Sequence, residues 1–141
     1  MGEDLGLEPF AGPLEPLDVV GVGMGGIVWG TQAAVPHLKV NGGSIINIGS
    51  MSGRIVNWPF RHAAYNVSKA GVHMLTKCLA TEWAEHNIRV NALAPGYIRT
   101  ELNVPLQQNA AFNAMLEQRT AAHRWGKPED LRGPLLLLAS D

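Results

Sequence analysis

The chain has 141 residues, 46% hydrophobic and 16% charged, a composition that excludes disordered and fibrous classes. Its net charge of −1, with 11 lysines and arginines spread along the sequence, gives no electrostatic case for nucleic acid. The lone Cys78 excludes an intrachain disulfide and, between Lys77 and Leu79, reads as a small core residue. No run of about 18 apolar residues marks a membrane span. The acidic start Met1-Gly2-Glu3-Asp4 lacks the basic segment of a secretory signal, so a cytoplasmic chain is expected. The five histidines share no metal-ligand spacing, and no metal is expected.

In chain order, residues 1–17 mix proline, glycine and acids, which predicts a flexible lead-in before a folded portion at 18–141. A helix is predicted from Val19 to Leu38, stopped by Asn41-Gly42-Gly43. Ser44–Ile48 is a β-branched run, apolar on both faces, which predicts a buried parallel strand left through Gly49-Ser50. A loop over 51–62 leads to a helix over 63–86. Its wide apolar stripe, Val67, Gly71, Met74, Leu75, Cys78, Leu79 and Trp83, predicts cover on more than one side. Ile88–Ala94 reads as a second strand, ended by Pro95-Gly96. Residues 101–123 read as one or two short, weakly anchored helices, and Pro128 as the first residue of a last helix. Helix and strand alternate as in an α/β fold with a parallel sheet.

Tyr65 and Lys69 lie four residues apart on a predicted helix and so share one face. A phenol, with a reference pKa of about 10, is a poor base at neutral pH, and a neighbouring ammonium favours its ionised form. Ser50 follows the carboxyl end of the first strand, and Pro95-Gly96-Tyr97-Ile98-Arg99-Thr100 follows that of the second. Open α/β sheets bind their ligands at such ends. A serine hydroxyl there can donate to a carbonyl oxygen or accept from an alcohol.

These segments resemble the short-chain dehydrogenase/reductase family in order and spacing. Gly43–Ser50, Tyr65–Val72, Ile88–Thr100, Gly126–Leu131 and Leu138–Asp141 carry the likeness, which spans about residues 18–141. The resemblance implies a Rossmann-like doubly wound parallel sheet, here an incomplete, catalytic C-terminal half. It implies an oxidoreductase that moves a hydride between NAD or NADP and a secondary alcohol or ketone. By it, Tyr65 is the acid/base, Lys69 binds the nicotinamide ribose and assists Tyr65, and Ser50 orients the substrate oxygen. Ser52 competes with Ser50 for that role. Pro95, Gly96, Ile98 and Thr100 would line the nicotinamide side of the cofactor, while Asn91 braces the sheet. The stretch from Ser50 to Asn57 resembles the sugar-alcohol and ketose branch of the family. Residues 101–125 fall where the family places a substrate lid, and the 63–86 helix where it often forms a homo-oligomer contact, with Trp83 at that interface. His62, Trp58 and Phe60 are further candidates to line the cleft, each set against ordinary loop solvation or packing.

Gly21-Val22-Gly23-Met24-Gly25-Gly26 satisfies G-x-G-x-x-G, a dinucleotide-binding pattern. That pattern wants an acid about 20 residues on, yet after Asp18 the next acid is Glu82. The better alignment sets Val22–Gly26 against the family's V-N-x-x-G segment at the start of a helix. Gly23 then stands where the family carries an Asn that fixes a water in its proton relay. The family also carries an upstream βαβ unit with a glycine-rich phosphate loop and a last strand, so a truncated chain is expected. The second hypothesis is accordingly an inactive remnant that keeps only the oligomerisation helices.

Overall fold

The structure is a computed structural model and describes residues 16–140. The first helix, α1, runs over Pro16–Asn41. It begins inside what the sequence reads as a lead-in, because proline's fixed φ and missing N–H are tolerated in a first turn. Residues 1–15 of that lead-in lie outside the described residues. Strand β1 (Gly43–Ile48) follows, then a 3-10 turn over Met51–Gly53 and helix α2 (Ala63–Glu82). A 3-10 turn at Ala84–His86 and Asn87 in the left-handed region (φ 56°) lead into β2 (Ile88–Leu93). Helices α3 (Val104–Gln108), α4 (Ala110–Arg119) and α5 (Arg132–Ala139) complete the order.

β1 and β2 pair in parallel from Gly43 opposite Ile88 to Ile48 opposite Leu93, with α2 as the crossover between them. Strand side chains alternate between faces. Ile45, Val90 and Ile88 therefore point one way and meet Leu75, Leu79, Trp83 and Leu38 from α1 and α2. Asn47 shares that face and donates to Thr76 Oγ1 at 2.9 Å, so a polar pair, not the expected apolar surface, closes its end. Ser44 and Arg89, opposite each other, face the other way and both donate to the Leu138 carbonyl at the end of α5. Helices on both faces of a parallel sheet make this a doubly wound α/β arrangement.

Several expectations change. β1 is half-buried, with Ile48 52% exposed, because the sheet has two strands among the described residues and each keeps an open edge. α2 does have cover on more than one side, as expected: Leu75 and Leu79 lie on the sheet, and Lys69 and His73 lie against the Met51–Gly53 turn. Its Ser68–Gly71 face meets α1, where a Cβ on Gly23 would stand 3.1 Å from Ser68 Oγ and one on Gly71 would stand 2.6 Å from Met24 Sδ. The remaining face leaves Val67 and Met74 about 60% exposed and Cys78 in solvent, so Cys78 is not a core residue. Trp83, expected at a subunit contact, packs against the Leu79, Ile88 and Val90 core of its own chain. By length and composition alone Asp18–Asn41 is apolar enough to cross a bilayer, with a mean hydropathy of 1.2, a test that core helices of soluble proteins also pass.

The tail after β2 is better anchored than its Gln- and Asn-rich sequence predicts. Phe112, Leu116 and Trp125 are buried together, with Phe60, Tyr97, Leu106 and Met115 around them. A parallel bridge pairs Ile98 with Gly126 and closes this unit. Beyond it, Arg124 donates to both oxygens of Asp130 at 2.8 and 3.2 Å, and the Lys127 N–H adds a third bond. These bonds hold the Asp130 carboxyl at about 2, below its ordinary 3.8. A folded-state value below the unfolded one means the pairing stabilises above about pH 3.8 and is lost as pH falls through about 2. A carboxyl-carbon NMR titration is expected to show that low midpoint, and Arg124→Ala to return it toward 3.8. An unchanged midpoint in the variant would remove Arg124 as the cause.

Candidate active site

Past the sheet the two strand ends stay side by side. The Gly49 N–H donates to the Leu93 carbonyl at 2.8 Å, and the Met51 N–H to that of Pro95 at 3.0 Å. Both candidate segments, Gly49–Gly53 and Pro95–Thr100, therefore leave the carboxyl ends of the strands together. Gly96 lies against Met51, whose Sδ would stand 3.3 Å from a Cβ there.

Tyr65 sits in the first turn of α2, 39% exposed, and Lys69 lies one turn on. The Lys69 Nζ stands 5.8 Å from the centre of the Tyr65 ring, above its face. That ammonium donates to the Ile48 carbonyl at 2.9 Å, fixing it at the end of β1. Burial lowers the Lys69 pKa from its ordinary value, since a charge is harder to hold where water is scarce. On the other side of Tyr65, His62 makes an edge contact at 6.4 Å and stacks on Phe60 at 5.2 Å. Burial lowers the His62 pKa as well.

Ser50 is buried, and its Oγ accepts the Ser52 N–H at 3.1 Å as the cap of the Met51–Gly53 turn. Ser52 lies within that turn, half-buried. In the second segment Pro95 and Ile98 are half-buried, while Gly96 and Thr100 are exposed. Asn91 is half-buried opposite Ile46 in the sheet.

The structure adds residues that sequence reasoning missed. The Asn103 amide donates to the Ile98 carbonyl at 2.7 Å and accepts the Thr100 N–H at 3.0 Å. Gln107 donates to the Thr100 carbonyl at 2.8 Å and to Asn103 at 2.6 Å. Thr100-Glu101-Leu102-Asn103 has the spacing of a helix-capping segment, a signal that could have marked Asn103. The Tyr97 hydroxyl donates to Asn57 Oδ1 at 2.6 Å, tying the loop before α2 to the segment after β2. Arg119 adds a second tie by donating to the Trp58 carbonyl. Trp58 itself is 65% exposed, while Phe60 packs on Phe112.

The glycine run at 21–26 lies inside α1 and forms no phosphate-cradling loop. Gly23 is thus an interior helix residue and not part of a helix start. It allows close approach to Ser68 in α2, whose hydroxyl donates to the Tyr65 carbonyl at 2.8 Å.

Comparison with known proteins bears on this arrangement. A family model described as enoyl-(acyl carrier protein) reductase matches residues 15–141. Galactitol 2-dehydrogenase of Rhizobium johnstonii is 43% identical over 125 residues, covering 88% of this chain and 49% of that protein. The 2-dehydro-3-deoxy-D-gluconate 5-dehydrogenase of Escherichia coli is 42% identical over 125 residues, 87% of this chain and 49% of its own length. Among solved structures, a gluconate 5-dehydrogenase from Burkholderia cenocepacia, in complex with NADP and tartrate, superposes with a TM-score of 0.82. It is 38% identical, with 91% of this chain and 51% of that one covered. A short-chain type dehydrogenase/reductase from Mycobacterium marinum gives a TM-score of 0.83 at 41% identity, covering 95% of this chain and 53% of that one. The chain spans about half the length of the curated relatives it matches. By sequence and by fold, the chain belongs to the short-chain dehydrogenase/reductase family.

Proposed function

We propose that this chain is the catalytic portion of an NAD- or NADP-dependent oxidoreductase that interconverts a secondary alcohol and a ketone, on a polyol or sugar-derived substrate. One observation carries the reading: Lys69 Nζ is fixed to the Ile48 carbonyl while lying over the Tyr65 ring, at the strand end that Ser50 follows. Bound nicotinamide supplies or accepts the hydride. In reduction the Tyr65 hydroxyl gives its proton to the substrate carbonyl oxygen, and in oxidation the phenolate takes the alcohol proton. Lys69 offers its ammonium to the ribose hydroxyls and favours the phenolate. The Ser50 Oγ accepts from the Ser52 N–H, which leaves its own proton free to donate to the substrate oxygen. Pro95, Gly96, Ile98 and Thr100 would flank the nicotinamide, braced by Asn103 and Gln107. These residues fit the nicotinamide-ribose end of a dinucleotide. Galactitol and ketogluconate enzymes among the relatives support the substrate class. The open face of α2 around Val67, Met74 and Cys78 supports a homo-oligomer contact. A cytoplasmic location, without membrane or nucleic-acid partners, accords with this chemistry.

A second reading, a remnant without turnover, is favoured by the glycine run being helical and by Gly23 standing in the family's Asn position. Titration with NADH and NADPH, followed by nicotinamide fluorescence, separates the two. Saturable binding is expected, with turnover of polyols on addition of the oxidised cofactor. No saturation at millimolar cofactor would leave the remnant reading.

A further inference from the structure

We propose that His73 is a positioning residue for Ser50, holding the turn that presents the serine hydroxyl; this rests on the role given to Ser50 above. His73 follows Lys69 by one turn of α2, so Tyr65, Lys69 and His73 form one row along the helix. Its ring is buried, with Nε2 2.8 Å from the Ser50 carbonyl oxygen. A carbonyl only accepts, so Nε2 carries the proton in this contact. The imidazole closes on the turn at two positions that are both glycine. A Cβ on Gly49 would stand 2.4 Å from His73 Cε1, and one on Gly53 would stand 2.7 Å from Cδ2. No other residue type fits either place without moving the ring or the backbone.

The consequence reaches the hydroxyl through two bonds. The Ser50 carbonyl accepts from His73 and also from the Gly53 N–H at 3.1 Å, which closes the turn. The closed turn brings the Ser52 N–H to the Ser50 Oγ at 3.1 Å and thereby sets the direction of the serine side chain. Gly53 also faces the Lys69 backbone, 2.6 Å from a Cβ there, whereas Gly49 meets the His73 ring alone. A histidine that served packing alone would need no acceptor aligned with Nε2.

Three measurements test this. In the unaltered chain, a long-range proton–nitrogen NMR spectrum of the His73 ring is expected to show the proton on Nε2. A proton on Nδ1 alone overturns the proposal without any variant. Exchange of the Ser52 amide hydrogen is expected to speed up in His73→Leu, which keeps bulk but has no donor, by roughly five- to ten-fold, the scale of one net hydrogen bond. His73→Gln, which keeps a donor, is expected to restore most of the protection, and equal exchange in all three proteins overturns the proposal. Neither readout needs turnover, so an inactive chain would sink the functional reading and leave His73 to be judged separately. Where turnover is present, His73→Leu is expected to lower kcat with KM little changed, and to have no further effect in a Ser50→Ala background. An equal loss in both backgrounds would make His73 a structural residue only.

Discussion

Tyr65→Phe is expected to lower kcat by about 10²- to 10⁴-fold, the usual contribution of a positioned acid/base, with NADH and NADPH binding unchanged. The substitution removes one oxygen and leaves the ring, so the edge contact with His62 and the face beneath Lys69 persist. Because Tyr65 is 39% exposed and its hydroxyl stands outside both packed clusters, folding is expected to be untouched. The comparison that isolates the proton transfer is Lys69→Met. That change removes the ammonium fixed at the Ile48 carbonyl, and so should weaken cofactor binding as well as slow turnover. Steady-state kinetics together with a cofactor titration separate the two patterns. Undiminished turnover in Tyr65→Phe would remove Tyr65 from the acid/base role, whatever the cofactor affinity.

The placement of the candidate residues was legible in the sequence because it is local. Tyr65 and Lys69 are four residues apart on a helix, and Ser50 directly follows a strand, so helix pitch and strand end place them with little help from the rest of the fold. The strand–helix–strand order was legible for the same reason: Gly42 at φ 77° stops α1, and short β-branched runs stand on either side of a long apolar helix. What the sequence concealed depends on partners distant in the chain. Asn47 looks like an interruption of an apolar strand until Thr76, 29 residues on, supplies its acceptor. Cys78 looks like core because it falls at helical spacing with Leu75 and Leu79, yet it sits with Val67 and Met74 on the face of α2 left open among the described residues. His73 reads as one unplaced histidine among five until the glycines at 49 and 53 open a place for its ring. The segment after β2 misled for another reason. Its abundant glutamine, asparagine and alanine dilute three aromatic anchors, Tyr97, Phe112 and Trp125, and the fourth, Phe60, comes from the loop before α2, with no shared periodicity.

That aromatic cluster carries the second large effect. Phe112→Ala is expected to destabilise the chain by about 3–5 kcal/mol, the range for deleting a fully buried phenylalanine ring. Phe112 has no exposed surface, and its ring meets those of Phe60 at 5.5 Å, Trp125 at 5.7 Å and Tyr97 at 5.8 Å. Two of the three flanking rings cannot shift into the space without giving up a bond that orients them. The Trp125 indole N–H is committed to Asn113 at 2.7 Å, and the Tyr97 hydroxyl to Asn57 at 2.6 Å. At roughly 2–4 °C per kcal/mol for a chain of this size, the melting midpoint should fall by about 10 °C, measured by circular dichroism. Leu136→Ala, at a residue 62% exposed on α5, is the control and should change stability by less than about 0.5 kcal/mol. The loss should also reach the site. Phe60 leads directly to His62 and Tyr65, and Tyr97 to Ile98 and Thr100, so the cluster adds to the bonds that hold the two site loops together. A well-folded Phe112→Ala protein at reduced temperature should therefore bind cofactor and substrate more weakly than its residual stability alone would give. A midpoint within 2 °C of the unaltered chain would show that the cluster is dispensable and that the segment after β2 is held from elsewhere.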